Sequence, residues 1–139
     1  MRQVLLENPM IRIVLRGEIA EMVVFRREDL SRKVGANAAA EAESVLKEIA
    51  GQDGVRLLVD VSDGPPAFGP KTRASMCRIL GAFTTQGRRA AVVLSDSATQ
   101  ALQYRSVADE VGAAHICVTK AAAEAREWLS VLTGRHDEG

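Results

Sequence analysis

Val55-Arg56-Leu57-Leu58-Val59-Asp60-Val61-Ser62 is a near-continuous apolar run, the pattern of a strand covered on both faces. The next seven residues continue neither a strand nor a helix. Asp63-Gly64-Pro65-Pro66-Ala67-Phe68-Gly69 sets two prolines between glycines, which is loop chemistry. Pro70 then suits a first helical position, where its missing N–H costs nothing. Beyond it Met76, Ile79, Leu80 and Phe83 share one stripe, with Ala74 and Cys77 beside it, and Gly87 is placed to close the helix.

The same rhythm repeats downstream. Arg88-Arg89 leads into Ala90-Ala91-Val92-Val93-Leu94-Ser95, a second buried strand. Ser97-Ala98-Thr99-Gln100 has capping-box spacing, and the helix it opens carries Ala101, Tyr104, Ala108 and Val111 on one side before Gly112. Ile116-Cys117-Val118-Thr119 forms a third strand, and Ala121, Ala125, Trp128, Leu129 and Leu132 make the stripe of a last helix. Residues from Gly134 onward read as a frayed tail.

Working back toward the N-terminus, Ala38, Ala42, Val45, Leu46 and Ile49 define a helix that ends near Gly51 and starts somewhere between Asp29 and Asn37. Ile11, Ile13 and Leu15 alternate with Arg12, Val14 and Arg16, and Met22-Val23-Val24-Phe25 is β-rich. With Gly17-Glu18 turning the chain, the two make a hairpin over 11–27. Ile19, Met22, Val23, Arg26 and Leu30 also fit a helical stripe, so the alternative is a helix over 18–31. The expected fold class is therefore α/β: a mixed, largely parallel sheet with an N-terminal β-hairpin and about four helices. The 139-residue length suits one domain over 1–133 with a tail over 134–139.

Bulk properties narrow the function classes. Lys plus Arg and Asp plus Glu are 18 each, so no global field steers the chain to nucleic acid or an anionic membrane. Arg26-Arg27 and Arg88-Arg89 read as short solvated pairs and not as a nucleic-acid stripe. No apolar run approaches the roughly 18 residues of a membrane span, and the charged N-terminus has no signal-peptide core. The expectation is a cytoplasmic protein. Cys77 and Cys117 lie 40 residues apart with no Cys-x-x-Cys pair or adjacent histidines, and they read as small buried side chains. No metal and no cofactor is expected.

Three stretches carry a family resemblance: Val55-Arg-Leu-Leu-Val-Asp60, Arg89-Ala-Ala-Val-Val-Leu94, and Thr119 to Leu129 with its Glu124-Ala-Arg-Glu-Trp-Leu ending. Taken with the order hairpin, helix and three strand–helix units, the chain resembles the STAS superfamily, and within it the bacterial SpoIIAA-like proteins. The resemblance implies a regulatory or binding module and no catalysis. In the anti-anti-sigma branch a serine in Asp-Ser-Ser-Gly opens the helix after the central strand and is phosphorylated. The equivalent position reads Gly69-Pro70-Lys71-Thr72; the acid and both serines are missing, and only Thr72 remains as a displaced substitute.

A second resemblance is to response-regulator receivers, which place an aspartate, a Ser or Thr, and a lysine after successive strands. Asp60, Ser95 and Lys120 match in order, and Lys33-Val-Gly-Ala-Asn-Ala-Ala-Ala-Glu-Ala is similar to the receiver segment entering the second helix. Phosphoryl transfer there needs Mg²⁺ on acids closing the first strand. Ile11 to Arg16 runs into Gly17-Glu18 with one acid where two are expected, and no proline comes after Lys120. This reading amounts to a degenerate signalling domain.

In open α/β sheets ligands gather outside the carboxyl ends of the strands, where helix N-termini present free N–H groups. That edge supplies the candidate ligand- or partner-binding residues: Asp60, Asp63, Gly69, Lys71, Thr72, Arg73, Ser95, Ser97 and Lys120. The loop over 63–72, with Lys71, Thr72 and Arg73 at a helix start, is the stretch most suited to an anion, although it lacks phosphate-loop spacing. Asp60 and Asp63 are also ordinary loop-capping acids. Ser95 and Ser97 have no Gly-x-Ser-x-Gly elbow around them, His115 and His136 have no catalytic companions, and Trp128 reads as core. The expected partner is a protein or a small anionic or apolar ligand, with no nucleic acid or membrane and a homodimer as a common possibility.

Overall fold

Residues 2–27 and 29–131 are described in the computed structural model. Leu132 of the last stripe and the tail with His136 lie outside them. The apolar runs form six strands in one sheet: β1 (Arg2–Glu7), β2 (Ile11–Arg16), β3 (Ile19–Val24), β4 (Arg56–Asp60), β5 (Ala90–Val93) and β6 (Ile116–Thr119). They lie side by side in chain order. The first three are antiparallel and β3 to β6 are parallel. Helices α1 (Arg32–Ala50), α2 (Pro70–Thr84), α3 (Ala98–Val111) and α4 (Ala122–Ser130) connect or follow the parallel strands. The expected α/β class, its hairpin and its four helices are all present.

One alternative is decided, and two details differ from the sequence reading. A helix over 18–31 does not form; β3 occupies its first half, and α1 begins only at Arg32 behind the Ser31 cap. Period-2 alternation of Ala20, Met22 and Val24 toward the core decides between the two, because every one of them packs into the main cluster. Gly17 sits at φ +59° in the two-residue turn, the position a tight hairpin reserves for glycine. Strand β1 has no counterpart in the sequence reading. Its register shifts between Val4 and Leu6, and such a bulge scrambles the alternation by which an edge strand is recognised. Finally α2 ends at Thr84, with Gly87 beyond its cap.

Alternation along the parallel strands divides the interior. Leu57, Val59 and Val61, with Ala90, Val92 and Leu94, join the core under α1, α2 and α3. Leu58, Ala91 and Val93 face the other way and pack on Ala125 and Leu129 of α4. Three helices thus cover one face and one covers the other. Helix α4 is short, and its end is tied down by arginines: Arg56 donates to Leu129 O and Arg89 to Trp128 O at 3.1 Å. Arg89 also lies 3.8 Å over the Trp128 ring, while Trp128 Nε1 donates to Ala90 O at 3.0 Å. Arg88 donates to Val55 O at 3.1 Å. The Arg88-Arg89 pair is therefore structural, not a solvated pair, and Trp128 sits at the margin of the core. Cys77 and Cys117 are both half-buried and free, so neither is the fully buried side chain expected.

Candidate functional site

Prolines leave their neighbours' carbonyls without local donors, so a Pro-rich loop needs partners from elsewhere. Here α3 supplies them. Gln100, wholly buried, donates Nε2 to Val61 O and Pro65 O, both at 3.0 Å. Its Oε1 accepts from Ser95 N and Ser95 Oγ at 2.7 and 2.9 Å. Ser97 Oγ donates to Pro66 O at 2.8 Å. Gln103 accepts from Phe68 N at 3.0 Å and donates to Phe68 O at 2.9 Å. The loop after β4 is clamped by side chains to a helix three elements away. Only half of the expected capping box forms: Ser97 Oγ accepts from Gln100 N at 3.1 Å, but the glutamine side chain serves this loop instead of reaching back.

The clamped loop forms one wall of a cleft of about 780 Å³, within the range of small-molecule sites. The cleft opens at the carboxyl ends of β3 and β4, between the N-termini of α1 and α2. Its apolar lining includes the buried side chains of Met10, Met22, Met76, Val61 and Tyr104, with the half-buried Phe68 beside them. The chain has four methionines, and all three beyond Met1 line this space, giving it an unbranched, polarizable surface that adapts to a guest's shape. The rings of Phe68 and Tyr104 meet edge to face with centroids 5.0 Å apart.

Among the described residues the charged lining is of one sign. Arg26, Arg27, Lys33 and Lys71 border the cleft, and no described Asp or Glu does, although the chain as a whole is neutral. Arg27 is engaged by Asp29 at 2.8 Å, which raises the guanidinium's pKa and lowers that of the carboxyl, chiefly through their hydrogen bond. Lys33 and Lys71 have no ion-pair partner among the described residues. At α2 no side chain caps the N-terminus, since Gly69 has none to offer. The Lys71 and Thr72 amides there are the orphan donors that favour an anion. No protein-family model and no curated protein matches this chain.

The residues singled out in the sequence divide between this cleft and other duties. Gly69, Lys71 and Thr72 line it. Arg73, one residue on, turns to α3, where it pairs with Glu110 at 2.9 Å and bonds Ser106. Asp60 Oδ1 accepts from Ser62 N and Ser62 Oγ at 3.0 and 2.6 Å, a loop cap. The Asp63 carbonyl accepts from Arg26 N at 2.9 Å. Ser95 and Ser97 hold the α3 clamp, and Lys120 lies 3.6 Å from Asp96. Asp60, Ser95 and Lys120 are each satisfied locally, with no hydrogen bond or ion pair among the three. Sequence patterning does not reveal Met10, Met22, Lys33, Gln100, Gln103 or the wall role of Tyr104. Position at the carboxyl edge of β3 is the signal for Met22, Val24 and Arg26; the clamp leaves no local signal at all.

Proposed function

We propose that this chain is a non-enzymatic, STAS-like regulatory module of the cytoplasm that binds a small amphipathic anion in the cleft. The observation that carries the reading is the pairing of an apolar, methionine-rich wall with basic side chains as its only described charged lining, beside an uncapped helix N-terminus. An anionic end held near Lys33, Lys71 and the α2 amides would gain charge-assisted hydrogen bonds. The apolar body would gain burial against Met10, Met22 and Met76. The order of hairpin, α1 and three strand–helix units, with three helices on one face, supports the STAS-like assignment. The site offers recognition, and the nearby Asp60, Ser95 and Ser97 side chains hold loops.

Thermal denaturation with decanoate and with decanol checks this. Decanoate raises the melting temperature of the native protein, and decanol does so far less. The Lys33→Glu/Lys71→Glu double variant folds normally and loses at least about tenfold in decanoate affinity. A protein indifferent to decanoate, or a double variant that binds it as before, overturns the reading.

A further inference from the structure

Given that reading of the cleft, one residue of its wall specifies the guest further. Tyr104 is 4% exposed and borders the cleft, yet its hydroxyl makes no hydrogen bond to any described residue. The Phe68 ring packs against Tyr104 edge to face, and Met22, Met76 and Val61 line the same cleft. Burial pushes the phenol's pKa well above its ordinary value, so the group stays a neutral donor at any physiological pH. A buried hydroxyl without a partner is unfavourable, and a plain hydrocarbon guest would seal it in that state. A guest bearing an oxygen along its chain would relieve it.

We infer that the ligand is an oxygenated acyl carboxylate, a keto or hydroxy acid of medium chain length, whose in-chain oxygen accepts the Tyr104 hydroxyl while its carboxylate lies at Lys33 and Lys71. Sites built to hydrogen-bond a ligand group discriminate strongly against analogues lacking it, because their own polar atom is left unpaired. Tyr104 is thereby a specificity-determining residue, and the lysines set affinity for the head.

The test is calorimetric titration of the full chain, native and Tyr104→Phe, with decanoate and with a series of oxodecanoates differing only in the position of the carbonyl. One isomer binds the native protein about tenfold tighter than decanoate. Tyr104→Phe removes that preference, so that the favoured isomer and decanoate bind the variant alike. Decanoate binding with no isomer preferred, or a preference that survives in Tyr104→Phe, overturns the inference while the cleft reading stands. If no carboxylate binds at all, both fall together.

Discussion

Phe68 meets Tyr104 edge to face at 5.0 Å, and the Phe68 backbone is gripped at both its N–H and its C=O by Gln103, one residue before Tyr104. The aromatic wall and the loop are one unit. Tyr104→Phe preserves the ring contact and breaks no hydrogen bond to a described residue, so its stability stays within about 0.5 kcal/mol of native or rises. Phe68→Ala loses the ring contact and part of the wall and costs about 1–2 kcal/mol. Calorimetric unfolding of the two variants side by side checks the contrast.

Gln100 is the keystone of the loop clamp. Replacing it by leucine strands the buried Val61 carbonyl and the partly buried Pro65 carbonyl and Ser95 amide, at a cost of about 2–4 kcal/mol. Amide exchange should accelerate in the loop over 62–69 and in the first turn of α3, with β4 and β5 less affected. Unchanged protection in that loop would show that the clamp does not hold it.

Glu43 of α1 accepts from Arg78 of α2 at 2.6 Å, with Lys47 3.6 Å away. The Arg78 hydrogen bond, above all, holds the Glu43 carboxyl below its usual range, with burial opposing and the charges of Arg78 and Lys47 assisting. A depressed folded-state pKa adds stability above the free-carboxyl value near 4.5, and that stability is lost as pH falls through the lower folded value. Arg78→Ala therefore lowers the melting temperature at pH 7, and the gap from native narrows progressively under acid conditions. A gap independent of pH would contradict this pairing.

Gly69 caps α2 without a side chain, in an extended conformation with φ −86°, and a Cβ there meets nothing within 4 Å. Gly69→Asp supplies the missing cap and adds about 0.5 kcal/mol of stability. The same carboxylate occupies the α2 amides beside Lys71 and opposes an anionic guest. Higher melting temperature with weaker decanoate binding is the expected pair of results, read by calorimetry and titration.

The strand–helix units from Val55 onward are legible in the sequence because buried parallel strands read as unbroken apolar runs and their helices carry clear stripes. Strand β1 is not, because a bulge at the sheet edge erases the period. Helix α1 has an indistinct start because Ser31 is followed by alternatives as good, among them Asn37. Of the cleft, the loop and the helix start at Gly69 to Thr72 are visible in the residues alone. The turning of Arg73 away to Glu110 is not, since facing is set by the last fraction of a helical turn. Nor is the meeting of residues as distant as Met10, Lys33 and Tyr104, because sheet order and not local spacing brings them together.

An amphipathic anion seated in the cleft would touch three methionines at once, and their methyl groups are sensitive reporters of it. The decisive experiment is methyl NMR of protein carrying ¹³C-labelled methionine, titrated with decanoate. The Met10, Met22 and Met76 methyl resonances should shift together along one binding curve, and Lys33→Glu/Lys71→Glu should weaken that curve. Methionine methyls that stay still while decanoate binds elsewhere, or that never respond to it, would mean that the cleft holds no such anion.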